Sequence, residues 1–425
     1  MIGRPVPLPT SRALATLAAA GLLLALVLTP APAPPDAQPR LARPVKIGLL
    51  ADRTGALAAY GYAHEKVARA VVKRINDGGG IGGQPVQLAV EDTESNPSVA
   101  TLKARKMIES DQVDFLVGSN TSAVVLAVAP IARELRTVYF PTAGGALLTT
   151  PGKGNRYVFD FNTDVKQETR GVAAFAVREL GIRDWATVVV DYAWGWDQER
   201  SFKEAVEALG GRVHRQVKVP LGSSNWLRYL HGNIPAEARG VYFANFGTDF
   251  LAFIRDLHTL RPDIVKVGGN YVLSGQDIEK LGASAEGVYV VTGYPQEAQE
   301  LDSEFDRLYR RTIGMDDYGR EVGTGKRLVP SYQWATWEAI YAIKEIIEAS
   351  GWTPKFIQAL EQKRFTRSAA HPEGDKHFRP QDHLSIKGAW IEQVKNGRLK
   401  VVKRIPPEDM IYPPMVNYPQ EQPLP

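Results

Sequence analysis

The sequence predicts an α/β protein made of two doubly wound lobes, and three observations carry that prediction. Short apolar runs alternate with amphipathic stretches from residue 44 to about 292. Such alternation places helices on both faces of a parallel sheet. Nearly eleven strands of this kind are too many for one compact sheet, and they divide into two similar blocks that meet near residue 157. A chain of 425 residues, 44% hydrophobic and 23% charged, has the size and composition of a globular bilobal unit.

Taken in order, VKIGLL (45–50) reads as a strand. HEKVARAVVKRIND (64–77) reads as a helix, with Val67, Val71 and Ile75 at helical spacing. VQLAVED (86–92), DFLVG (114–118) and TVYFPT (137–142) are strands, separated by helices over 98–110 and 123–136. The second block runs helix 166–180, strand 185–191, helix 197–209, strand 212–219 and helix 224–231. It continues with strand 240–244, helix 249–260 and strands 265–269 and 287–292. Helices over about 302–313, 331–349 and 354–362 follow, then a hairpin over 389–404 turned at Asn396-Gly397.

Residues 1–37 are expected to be a secretory signal rather than part of the fold. Arg4 and Arg12 precede the apolar stretch ALATLAAAGLLLALVL (13–28), and a Pro- and Ala-rich segment follows it. That stretch falls short of the roughly 20 residues that span a bilayer. Export and a soluble mature protein are the expectation. The net charge of +4 gathers into no basic block, which argues against a nucleic-acid partner. The absence of cysteine excludes disulfides, thiolate metal sites, a cysteine nucleophile and a lipid-modified cysteine.

Enzyme-like signals mostly fail on context. Gly78, Gly80 and Gly83 fit a dinucleotide-binding spacing, but they follow a helix and open a strand, the reverse of that fingerprint. A helix cap and turn explain them. His371, Asp375, His377, Asp382 and His383 cluster in HPEGDKHFRPQDH, a segment that reads as a loop without the helical i, i+4 histidine spacing, so no metal site is expected. No nucleophile elbow or phosphate-cradling loop is present, and no cofactor is implied. What remains are polar strand-end loops: Thr54–Gly61, Ser119–Ser122 and Pro141–Gly145. Across from them the second block places DYAWGWD (191–197), three large rings between a strand and a helix. Polar groups for a charged end and aromatic walls for the rest suit a small-molecule site.

KIGLLADRTGALAAYG, INDGGGIGGQPVQLAVEDTESNPSVA, FLVGSNTSAVVLAVAPIARE, VYFPTAGG, SAEGVYVVTGY and RPQDHLSIKGAWI extend one resemblance from about residue 44 to 410. The chain resembles the periplasmic solute-binding proteins of ABC transporters for branched-chain amino acids, the leucine/isoleucine/valine-binding type. The resemblance implies two Rossmann-like lobes joined by a three-crossing hinge, the type I periplasmic-binding fold. Lobe I would take 44–161 and 294–384, lobe II 162–293 and 385–410, with 411–425 as a tail.

Position by position, the resemblance makes Tyr60 the aromatic of lobe I over the ligand. Ser122 becomes the hydroxyl on its carboxylate, and Thr142, with Ala143 beside it, a backbone contact to its ammonium. Trp194, Phe246 and Tyr332 become further aromatic walls, while Tyr192 and Trp196 support the loop or touch the other lobe. Two positions depart from the family. Gly144 stands for its threonine, and Asn270 for the glutamate that pairs with the ammonium. Asp249 or Asp197 could supply that charge, or simply cap their helices. The ligand implied is an amino acid or a related small carboxylate or amide. The partners implied are ABC permease subunits in the inner membrane, for a monomeric periplasmic receptor that is not an enzyme. A periplasmic sensor of the same fold is the alternative.

Overall fold

Seven residues, VKIGLLA, make the first strand, and all but one are buried, as a central parallel strand covered on both faces requires. The computed structural model describes residues 41–424 apart from 143–146, 221, 246, 247, 270, 271, 274, 296–302, 326–332, 353 and 354. The expected signal over 1–37 therefore lies outside the described residues.

The first sheet comprises β1 (Val45–Ala51), β2 (Val86–Asp92), β3 (Phe115–Gly118) and β4 (Val138–Phe140), alternating with α1 (Ala58–Asp77), α2 (Pro97–Arg105) and α3 (Ser122–Glu134). Its strands are parallel, in the order β2-β1-β3-β4. The chain continues through α4 (Val165–Arg178), β5 (Asp184–Val190), α5 (Ala193–Ala208), β6 (Arg212–Val219) and α6 (Leu227–Leu230). It then forms β7 (Gly240–Ala244), α7 (Thr248–Leu260), β8 (Val265–Gly268), α8 (Gly275–Leu281) and β9 (Tyr289–Thr292). These five strands are parallel in the order β6-β5-β7-β8-β9, which repeats the order of the first sheet. The doubly wound fold read from the sequence is the fold observed.

Three helices follow, α9 (Glu304–Ile313), α10 (Gln333–Ser350) and α11 (Lys355–Gln362), and their apolar faces join the first core rather than the second. A small sheet of β10 (Arg364–Phe365), β11 (Lys376–Phe378) and β12 (Ser385–Ile386) comes next. The hairpin of β13 (Ala389–Lys395) and β14 (Arg398–Ile405) then adds antiparallel to β9. Its turn residues Asn396 and Gly397 both have positive φ, the geometry of a tight hairpin turn. Two one-turn helices, α12 (Pro407–Met410) and α13 (Tyr418–Glu421), end the chain.

Apart from Leu147, core membership changes between Phe161 and Val165, between Val291 and Tyr294, and between Phe378 and Ala389. It changes once more along the tail. Met410 is buried in the second sheet's core, whereas Leu424 packs on the first. Between them Tyr412 bonds Thr149 at 2.7 Å and the Asp164 carboxylate, and the Tyr418 hydroxyl donates to the Leu148 carbonyl at 2.5 Å.

Four local expectations are corrected. The helix expected from 64 begins at Ala58, and that expected from 197 begins at Ala193, so Trp194 and Trp196 lie in a first helical turn rather than a loop. The helix expected over 224–231 shrinks to Leu227–Leu230. The segment 371–383 is not wholly loop, since β11 runs through it.

Candidate functional site

In an open α/β sheet the ligand crevice lies beyond the carboxyl ends of the strands, where strand order reverses. Here that happens between β1 and β3 in the first sheet, and between β5 and β7 in the second. At the first of these points the two strand-end loops are joined by one side chain, Asp52, which is 1% exposed. Its carboxylate accepts from Ser119 Oγ at 2.7 and 2.9 Å, the Asn120 amide at 2.8 Å, Thr121 Oγ1 at 3.2 Å and the Thr93 hydroxyl. All of these donors are neutral.

The loop so held leads into α3, whose first residue is Ser122. Thr121 stands at the N-cap with no side-chain bond into the helix, so the first-turn amides receive no cap from it. Ser122 is buried, and its hydroxyl has no hydrogen-bond partner among the described residues. A free hydroxyl beside helix-terminal amides, of which that of Ala123 is taken by Tyr192, fits a carboxylate. Thr142 is fully buried, and its amide and hydroxyl both donate to the Ser119 carbonyl, at 3.3 and 3.2 Å. Of its backbone groups only the carbonyl is left for an ammonium. His64 closes the back of the loop, bonding Thr336 Oγ1 at 2.6 Å and the Asn120 side chain. Burial lowers its pKa to about 4, against the pull of that Asn120 bond, and keeps the ring neutral.

Tyr60 and Trp194 occupy equivalent places in the two halves. Each stands in the first turn of the helix that follows the first strand of its sheet, and each is followed by glycine, as AYG (59–61) and AWG (193–195). A Cβ on Gly61 would lie 2.0 Å from the Asp52 carbonyl oxygen, and one on Gly195 would lie 2.1 Å from that of Val190. Only glycine lets these helices rest on the strand ends, and that contact fixes the ring before it. Tyr60 is half-buried, and desolvation, helped by Asp277, pushes its hydroxyl well above the usual phenol range. Trp194 packs into the core of the second sheet. Tyr192, half-buried, brings its hydroxyl to the Ala123 amide at the start of α3. Trp196 turns outward, 46% exposed, with Nε1 donating to Asp191 at 2.7 Å.

Ala143, Gly144, Phe246, Asn270 and Tyr332 lie outside the described residues, as does the side chain of Asp249. Asp197 is held by Arg200 and lies 3.8 Å from Lys153, so it is already committed to cations. At the end of β7, Asn245 donates to the Val188 carbonyl at 3.0 Å, while its Oδ1 is buried without a partner. Sequence reading passed over Asp52, His64 and Asn245. The available signal for two of them was a polar residue ending an apolar strand run. The histidines of 371–383 disperse instead of converging. His371 faces Glu345 at 3.2 Å, whereas His383 stacks on Phe159 and faces Glu361. Among the described residues no acidic or histidine group is arranged to hold a metal.

Over residues 44–398 the chain matches the family model described as periplasmic binding protein. The chain belongs to the periplasmic binding protein family. As a member of that family, and like the solved structures it matches, it has the type I periplasmic-binding fold and is a solute-binding protein, not an enzyme. Among curated relatives it is 26% identical over 261 residues to the Leu/Ile/Val-binding protein BraC3 of Rhizobium johnstonii, covering 61% of this chain and 70% of the relative. Two solved structures bracket the ligand chemistry of its neighbours. A solute-binding protein of an ABC transporter from R. palustris in complex with benzoate superposes with a TM-score of 0.72 at 22% identity, covering 86% of this chain and 97% of the other. The branched-chain amino acid protein LivJ of Streptococcus pneumoniae, in complex with isoleucine, gives 0.70 at 18%, covering 85% and 99%.

Proposed function

We propose that this periplasmic binding protein is the exported receptor of an ABC importer, capturing an amino acid or a related small carboxylate or amide and delivering it to a membrane permease. The lobes proposed are 44–161 with 294–384 and 162–293 with 385–410, closing on the ligand about the segments that join them. The site proposed is Tyr60, Ser122, Thr142, Ala143 and Gly144 from one lobe, with Trp194, Phe246 and Asn270 from the other and Tyr332 near the hinge. One observation carries the reading. A Ser122 hydroxyl with no partner among the described residues stands at the start of α3, on a loop tied to Asp52 and faced by Tyr192 of the other sheet. Such a group is free to hydrogen-bond a ligand at the start of the helix.

The test is calorimetric titration of ligand-stripped protein with leucine, isoleucine, valine, benzoate, 4-hydroxybenzoate and benzamide, alongside mass spectrometry of small molecules released on denaturation. Saturable binding of at least one of these, or release of a chemically related molecule, is expected. Silence in both assays would defeat the reading. Co-purification with permease subunits separates import from sensing.

A further inference from the structure

After β14 the chain runs from one core to the other, in a stretch that lies beyond residue 398, where the family match ends. Its start is fixed on the side of the second sheet. Met410 is fully buried there, and Asp409 pairs with Arg178 of α4 at 2.8 Å. Its far part is fixed on the side of the first sheet. The Tyr418 amide donates to the Gln381 carbonyl at 2.7 Å and its hydroxyl to that of Leu148. The Arg156 amide donates to Gln422 at 3.0 Å, and Leu424 packs on the first core. Midway, the Tyr412 hydroxyl joins Thr149 to the Asp164 carboxylate that caps α4. The Tyr412 carbonyl accepts from Arg379, which pairs with Asp382 in the last of the joining segments. Tyr412 and Tyr418 are 4% and 2% exposed, as deep as core residues. A chain terminus is held this firmly only where contacts tie it down.

From these contacts we infer that residues 411–424 form a strap, a fourth link between the lobes that limits how far they swing apart. The inference rests on the two-lobe hinge proposed above and adds a restraint to it. A hinge moves by changing φ and ψ at a few residues of its joining segments, so those segments alone set the lobe angle only loosely. Rotating α4 away from residues 147–156 would part Asp164 from Thr149 and draw Met410 away from Tyr418. The strap must then give up the bonds of Tyr412 or of Tyr418 and expose a buried ring. Losing two such hydrogen bonds disfavours the wide-open arrangement roughly 10- to 100-fold. A hinge restrained in this way still closes, over a shorter swing, and less freedom is lost when a ligand closes it.

The experiment measures the distance between the lobes directly. The chain has no cysteine, so Leu102→Cys on α2, 69% exposed, and Ala208→Cys on α5, also exposed, accept one spin label each. Dipolar spectroscopy of the unliganded full-length protein should give one narrow distance. Adding Tyr412→Phe and Tyr418→Phe together keeps both rings and removes both hydroxyls. The distribution should then broaden and gain a longer distance, its population raised roughly tenfold or more. Leucine and benzoate, added in turn to the labelled protein with its tail intact, test the hinge itself. If either probe shortens the distance while the double variant leaves it unchanged, the hinge stands and the strap is overturned. If neither the variant nor any probe that binds moves it, the hinge reading falls and takes the strap with it. Should the double variant fail to fold, the intact tail decides, because two distances or a broad spread without ligand overturn the inference equally.

Discussion

Trp194 and Trp196 are two residues apart in one helical turn, and their environments differ sharply. Trp194 is 9% exposed within the second core, whereas Trp196 is 46% exposed and anchored to Asp191 of its own segment. Because Trp194 also fills the second core, its loss should affect the unliganded protein as well as the ligand site. Trp194→Ala should cost roughly 2–4 kcal/mol of ligand binding and also roughly 3–5 kcal/mol of stability. Trp196→Ala should change stability by no more than about 0.5 kcal/mol. Ser122→Ala should weaken binding by roughly 1.5–3 kcal/mol while leaving the melting temperature in place, because its hydroxyl has no partner among the described residues. Thermal melts, with calorimetry on whichever probe binds, check all three. A damaging Trp196→Ala would move the ligand wall to the outer ring.

Among the elements, helix starts were legible where a cap was present. Asp164 and Gln167 form a capping box at α4, and Asn96 caps α2 before Pro97, so both starts were read within a residue. Leu57 before α1 and Tyr192 before α5 make no side-chain cap, and both helices were read several residues short. These two starts hold Tyr60 and Trp194, and without a cap the chain there carries no local start signal. The tail is the other element hidden from sequence. Tyr412 is its anchor, shared by Thr149 and the buried Asp164. Tyr412→Phe leaves that carboxylate short of a donor and should cost roughly 1–3 kcal/mol in denaturant unfolding. Tyr62→Phe, which removes an exposed hydroxyl from Glu321, is the control and should stay within about 0.5 kcal/mol. Equal effects would mean that the tail is merely laid on the surface.

At the scale of the molecule, two sheets whose parallel strands follow the same order carry hydroxyl, amide and aromatic groups at their reversal points. If ligand binding closes them, small-angle scattering should give a smaller radius of gyration with a saturating probe than without. An unchanged radius at saturation would defeat closure. The alternation, the division into two blocks and the Asn396-Gly397 turn were determined by the sequence itself, because apolar periodicity and turn chemistry act over a few residues. The strand-end segments that carry Tyr60, Ser122 and Trp194 were legible on the same basis, whereas the three residues themselves were singled out by the family resemblance. Only the tertiary structure decided that α9–α11 join the first core and that the tail returns to it. It alone also decided that Asp52 ties the strand-end loops together. The donors to Asp52 come from residues 93 and 119–121, and Tyr412 finds its partners at 149 and 164. Interactions between positions so far apart in the chain leave no periodic trace in either segment, and they exist only once the sheets have formed.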